Sequence, residues 1–139
     1  MSHNLSDSIQ VKQTLAPQSI ASGAVINGSS VDCAGYEQLL AHFELGAIAS
    51  AANTSLSVRL QESADNSSFT DVSGAATAAI LNAGQNAPYL LAVNLSERKR
   101  YLRAVVTAGS AGGGLLSASF ELSAGRHLPP MQDKPVILV

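Results

Sequence analysis

Residues 115–123 read LLSASFELS, with Leu116, Ala118, Phe120 and Leu122 at every second position and Ser117, Ser119, Glu121 and Ser123 between them. Side chains two apart share one face of a β-strand, whereas a helix would scatter this apolar set around its axis. The same period recurs in Leu39, Ala41, Phe43 and Leu45, which alternate with Leu40, His42, Glu44 and Gly46. It recurs in Leu56, Val58 and Leu60 against Ser57, Arg59 and Gln61, and in Ile9 and Val11 against Gln10 and Lys12. Tyr89, Leu91, Val93 and Leu95 form a further set, and the charged Arg103 within RYLRAVVT directs Leu102, Ala104 and Val106 inward. Each segment is expected to bury one face. Strands separated by turns, with a helical turn or two near residues 75–82, predict an all-β protein, an antiparallel β-sandwich or jelly roll. The expected organisation is an extended N-terminal arm over residues 1–8, the sandwich over 9–125 and an extended C-terminal arm over 126–139.

A chain of 139 residues fits one domain, with roughly 6,800 Å² exposed when folded against roughly 20,600 Å² unfolded. A substantial core is therefore within reach. A net charge of −2 with 13% charged residues provides no electrostatic footprint for nucleic acid or an anionic membrane, and neither partner is expected. Cys33 is the single cysteine, so no internal disulfide forms. The opening MSHNLSDS lacks the charged-then-apolar layout of a secretory signal, and no apolar run reaches the length of about 20 residues that a membrane helix needs.

The turns are marked by residue chemistry. TAGSAGGG, residues 107–114, can visit positive φ almost anywhere and reads as a loose hairpin; a phosphate cradle would need a helix to follow, and a strand follows instead. In VRLQESADNSSFTDV, residues 58–72, Ser63, Asp65, Asn66 and Ser67 are residues whose short side chains bond nearby backbone and stabilise a tight turn. The spacing does not fit a calcium loop, and no distal Glu closes one. Parity with Val72 sends Phe69 outward unless a bulge at the loop mouth intervenes, and an outward Phe69 is a candidate contact point.

Catalytic groupings are not legible. His3, His42 and His127 have no metal-ligand spacing. Cys33 reads as a small half-buried thiol, and Glu37, Glu44, Glu62, Asp65 and Asp71 as solvated acids at turns and on polar faces. No enzyme activity, metal or cofactor is expected. The matches to Asn-x-Ser/Thr at Asn4, Asn27, Asn53, Asn66 and Asn94 read as chance in a Ser-rich chain. Arg98, Lys99 and Arg100, in the run ERKR, form the one dense cationic stretch: either a solvated turn or a dock for an acidic surface. The chain closes on RHLPPMQDKPVILV, where prolines oppose helix. An unprotected apolar end invites aggregation, so Val136, Ile137, Leu138 and Val139 are expected to pack on a neighbouring subunit or partner, as an added strand.

The order VDCAGYEQLLAHFELGAI, LSVRLQESADNSSFTDVSGAA, ERKRYLRAVVTAG, a glycine-rich turn and SASFELSAGRHLPP resembles small head-region proteins of tailed bacteriophages. These include the jelly-roll cement, or decoration, proteins of short-tailed phages. The resemblance runs from residue 10 to about residue 130 and centres on Gln61-Glu62-Ser63, the acidic tip, Phe69 and Lys99-Arg100-Tyr101; where that family usually has Asp-Gly, this chain has Asp65-Asn66. It implies a structural protein on the outer capsid surface of the virion, made in the host bacterial cytoplasm, that bridges neighbouring subunits of the major capsid protein. It also implies self-association as a homodimer or small homo-oligomer. Other classes compatible with a sandwich are a head-completion or tail-associated virion protein, and a carbohydrate-binding module with Tyr36 and Tyr89 as its stacking rings.

Overall fold

The computed structural model describes residues 4–123. Among these residues there are nine strands: β1 (Ile9–Ser19), β2 (Val25–Asn27), β3 (Val31–Asp32), β4 (Gln38–Ile48), β5 (Leu56–Ser63), β6 (Thr70–Ala76), β7 (Pro88–Asn94), β8 (Tyr101–Ala108) and β9 (Gly114–Ser123). β1 pairs with β9, β2 and β3 with β8, β4 with β7, and β5 with β6, all antiparallel, so the chain is one long nested hairpin. Two further antiparallel pairings, β4 with β9 and β5 with β8, roll that hairpin into two sheets. Their strand orders are β1-β9-β4-β7 and β2-β8-β5-β6, with β3 also on β8. This topology is a jelly roll, the all-β sandwich anticipated from the alternation.

The alternating faces predicted for β4, β5, β8 and β9 are the ones that meet between the sheets. Phe43 and Phe120 lie at the centre, fully buried, with Leu56, Leu60, Leu102, Leu116 and Leu122 around them. Tyr89, Leu91 and Val93 also face this core but are only partly covered, because β7 is an edge strand of its sheet.

Strand β1 departs from its expected face. Val11 stands opposite Glu121 and Lys12 opposite Phe120, and cross-strand partners share a face, so Ile9 and Val11 lie on the outer side and Val11 is 43% exposed. Thr14 is an extra residue between the pairs Gln13 with Ser119 and Leu15 with Ala118. This bulge reverses the parity and turns Leu15 into the core.

Three connections also differ from expectation. Residues 107–114 do not close a hairpin: β8 and β9 belong to different sheets, and the segment crosses between them. Its glycines serve close approach as much as freedom, since a Cβ on Gly109 would stand 2.4 Å from the Asn53 carbonyl oxygen and one on Gly114 2.3 Å from that of Ala47. Residues 75–76 end β6 and Ile80 is bridged to Leu56, so the helical turn falls at the far end of the expected stretch, as a 3-10 turn at Asn82–Gly84. Near the start, Leu5–Asp7 coils into a 3-10 turn whose Asp7 carboxylate accepts the Asn4 N–H, so this part of the N-terminal arm is not extended. The C-terminal arm, with Val136, Ile137, Leu138 and Val139, lies outside the described residues.

Candidate functional site

The polar tip between β5 and β6 is built as its residue types suggest. Asp65 Oδ1 accepts from Ser63 Oγ at 2.8 Å and from the N–H groups of Ser67 and Ser68, each at 2.9 Å. Asn66 takes the left-handed conformation, φ 59°. These bonds, that from Ser68 foremost, hold the exposed Asp65 carboxyl at a pKa of about 2. A depressed folded-state pKa stabilises the fold above the unfolded value and loses that contribution as pH falls. The stability gap between wild type and Asp65→Ala should therefore be full above about pH 4 and close as pH falls toward about 2, read by denaturant titration across that window.

Phe69 follows the tip and precedes β6. The bulge expected at the loop mouth lies instead farther along β6: Asp71 pairs with Gln61 while Ala76 pairs with Arg59, and Gly74 there has φ 81°. The Phe69 ring is half-buried, with the Arg103 guanidinium carbon 4.0 Å from its centroid.

The ERKR run is tied down by the fold rather than simply solvated. Glu62, read from the sequence as a solvated acid, is only 9% exposed because the turn closes over it. Its Oε2 accepts the Lys99 backbone N–H at 3.0 Å, and its Oε1 lies 3.5 Å from Arg98 Nη1. Arg100 grips Asp32 with two parallel bonds, 2.9 Å from Nε and 2.8 Å from Nη2. That fork lowers the Asp32 pKa and raises that of Arg100. The Lys99 residue is exposed.

Beside Asp32, Cys33 is fully buried rather than half-buried, and burial foremost, with the Asp32 charge second, pushes its thiol up to about 12. Such a thiol stays protonated at neutral pH and is a poor nucleophile. His42 lies 3.1 Å from Glu44 on the outer face of the four-stranded sheet. Among the described residues no group of three His, Cys, Asp or Glu could hold a metal ion, and no helix is long and apolar enough to cross a membrane. The Tyr36 and Tyr89 rings pack against the core, their hydroxyls donating to Gln10 Oε1 and to the Gly84 carbonyl. Neither forms an open platform for a sugar.

A hydrogen-bonded network of side chains lies on the outer face of the five-stranded sheet. Arg103 donates from Nε and Nη2 to Gln61 Oε1 at 3.1 and 2.8 Å. Gln61 in turn donates to Asp71 Oδ1 at 2.9 Å, which also accepts from Arg59 Nε at 3.2 Å. Arg59 Nη1 reaches Thr107 Oγ1 at 2.9 Å. Beneath them Val105, paired with Arg59 across the strands, is fully buried although it lies on the outer face. The arrangement can hold a guanidinium flat and rigid on a surface; it offers no nucleophile or proton-transfer pair.

No protein-family model matches the sequence, and neither does any curated protein. Solved structures do match. XepA, an exported protein of PBSX, aligns with all of this chain at TM-score 0.61 and 16% identity. The SPBc2 prophage-derived protein YomS aligns with 89% of it at TM-score 0.54 and 10% identity. VP2 of infectious bursal disease virus, solved as a subviral particle, aligns with 84% at TM-score 0.54 and 13% identity. What they share with this chain is the fold. The chain accounts for 99% of YomS, but for 45% of XepA and 32% of VP2.

Arg103 was legible in the sequence only as a marker of strand parity. The same parity places Gln61, Phe69 and Arg103 on one side, but the pairing of Gln61 with Arg103 depends on β5 lying beside β8, which no local pattern states.

Proposed function

We propose that this chain is a structural protein of a tailed-bacteriophage particle, bound to the outer surface of the head, where it bridges neighbouring subunits of the major capsid protein. The observation that carries the reading is the jelly roll shared with prophage-derived YomS over almost the whole of both chains. The viral VP2 fold and the sequence resemblance to phage cement proteins point the same way. The outer face of the five-stranded sheet suits such a role, since Arg103, Gln61, Asp71 and Arg59 are held there by their own hydrogen bonds.

A bridge of this kind works by linkage. If the assembled shell binds it and isolated subunits do not, each occupied site adds RT ln(1 + [L]/Kd) to the stability of the shell. Modest contacts suffice when many copies, or a symmetric small homo-oligomer, engage together. The test is the copy number in purified virions, by quantitative mass spectrometry against the major capsid protein. A simple fraction of the shell, repeated hundreds of times, is the expected result. About a dozen copies or fewer would replace the cement role with a head-completion or tail-associated one, and absence would overturn the virion reading.

A further inference from the structure

Arg59 is matched by Asp71, Arg98 by Glu62 and Arg100 by Asp32. Among the described arginines, Arg103 is the one with no carboxylate partner. Asp71 is engaged with Gln61 and Arg59, and Asp65 with its own turn. A neutral amide and an aromatic ring hold Arg103 instead.

We infer that the outer face of the five-stranded sheet, anchored by Arg103 and walled by Phe69, docks an acidic segment of a protein partner through a side-chain carboxylate. A guanidinium carries five N–H donors. Gln61 takes the Nε hydrogen and one from Nη2, which leaves the end of the fork, one hydrogen on Nη2 and two on Nη1. That edge matches the two oxygens of a carboxylate. Gln61 and Phe69 already fix the side chain, so little rotamer freedom remains to be lost on docking. Burial and the neighbouring Arg59 charge push the Arg103 pKa down, an unfavourable setting that an incoming negative charge would relieve. An arginine beside an aromatic ring is also the composition of energetic anchors in protein interfaces.

Phosphate-rich partners fit less well, because nucleic acid calls for a track of several cations, whereas Arg59 here is already neutralised by Asp71. Naming the acidic partner as the capsid shell rests on the proposed function; the carboxylate chemistry does not.

The test is NMR titration of the full chain, at low salt, with a hexaglutamate peptide, a hexaglutamine peptide and inorganic phosphate. Hexaglutamate should shift the Arg103 Nε–H and Phe69 ring resonances first. Arg103→Gln should weaken binding by about tenfold or more, and Arg103→Lys, which keeps the charge but loses the fork, should weaken it to a lesser degree. Lys12→Gln, on β1 of the other sheet, should leave it unchanged. Shifts centred elsewhere, equal shifts from hexaglutamine or phosphate, or unchanged affinity in Arg103→Gln would overturn the inference. A shell-wide copy number with an inert Arg103 face would overturn this docking surface alone. Hexaglutamate binding by a protein absent from virions would overturn the virion reading alone.

Discussion

Phe120→Ala is expected to lower stability by about 3–5 kcal/mol, a large share of the roughly 5–15 kcal/mol that holds a domain folded. Phe120 sits on β9, between β1 and β4, and is fully buried. The chain has three phenylalanines and no tryptophan, so the centre of the sandwich is filled by Phe43 and Phe120. Small side chains border that centre: Ala41 stands opposite Phe120 on β4, and Ala118 lies two residues before it on the same face. Alanines cannot swing into a void, and a cavity that cannot collapse is the costly kind. Phe120→Leu, which leaves a smaller void, should lose less. Leu115→Ala, on the same strand but 51% exposed, should stay within about 0.5 kcal/mol of wild type. Urea titration with an unchanged m-value would assign the loss to the folded core. Equal midpoints for Phe120→Ala and Leu115→Ala would contradict the packing described.

The parts of this fold that were legible are those where one strand's own pattern decides its face. In β4, β5, β8 and β9 an apolar row recurs at every second position, and because each is an inner strand of its sheet, flanked on both sides, a slipped register would expose that whole row. β1 is an edge strand of the path, and its face depends on where Thr14 is inserted against β9, a fact about the partner rather than about the local pattern. The glycines of residues 107–114 read as freedom in sequence, but three-dimensional crowding by Asn53 and Ala47 is what excludes a side chain at Gly109 and Gly114. Glu62 had the look of a solvated acid because its contacts, Arg98 and Lys99, lie 36 and 37 residues away. The same distance problem hides the Arg103 cluster, whose members come from β5, the tip, β6 and β8.

Thr14→Val should lower stability by about 2–4 kcal/mol, since each buried backbone group left without its partner costs about 1–3 kcal/mol. Valine keeps the volume and removes only the hydroxyl. That hydroxyl donates to the Ser29 carbonyl at 2.7 Å and accepts from the Ala104 N–H at 3.2 Å. The position matters because β2 ends at Asn27 and β3 begins at Val31, leaving a gap along that side of β8. Gly28 occupies part of the gap, its N–H donating to the Ala104 carbonyl at 2.7 Å, but the Ala104 N–H is met by Thr14 from the opposite sheet. A side chain of one sheet thus completes the backbone ladder of the other, and the bulge that places it there also turns Leu15 inward. Gly28 has no room for a Cβ, which would stand 2.5 Å from Thr14 Oγ1. Thr14→Ser keeps both hydrogen bonds and should lose less than Thr14→Val. Amide exchange at Ala104 should quicken in Thr14→Val and remain near wild type in Thr14→Ser; equal exchange in the two variants would mean that the hydroxyl is not what joins the sheets.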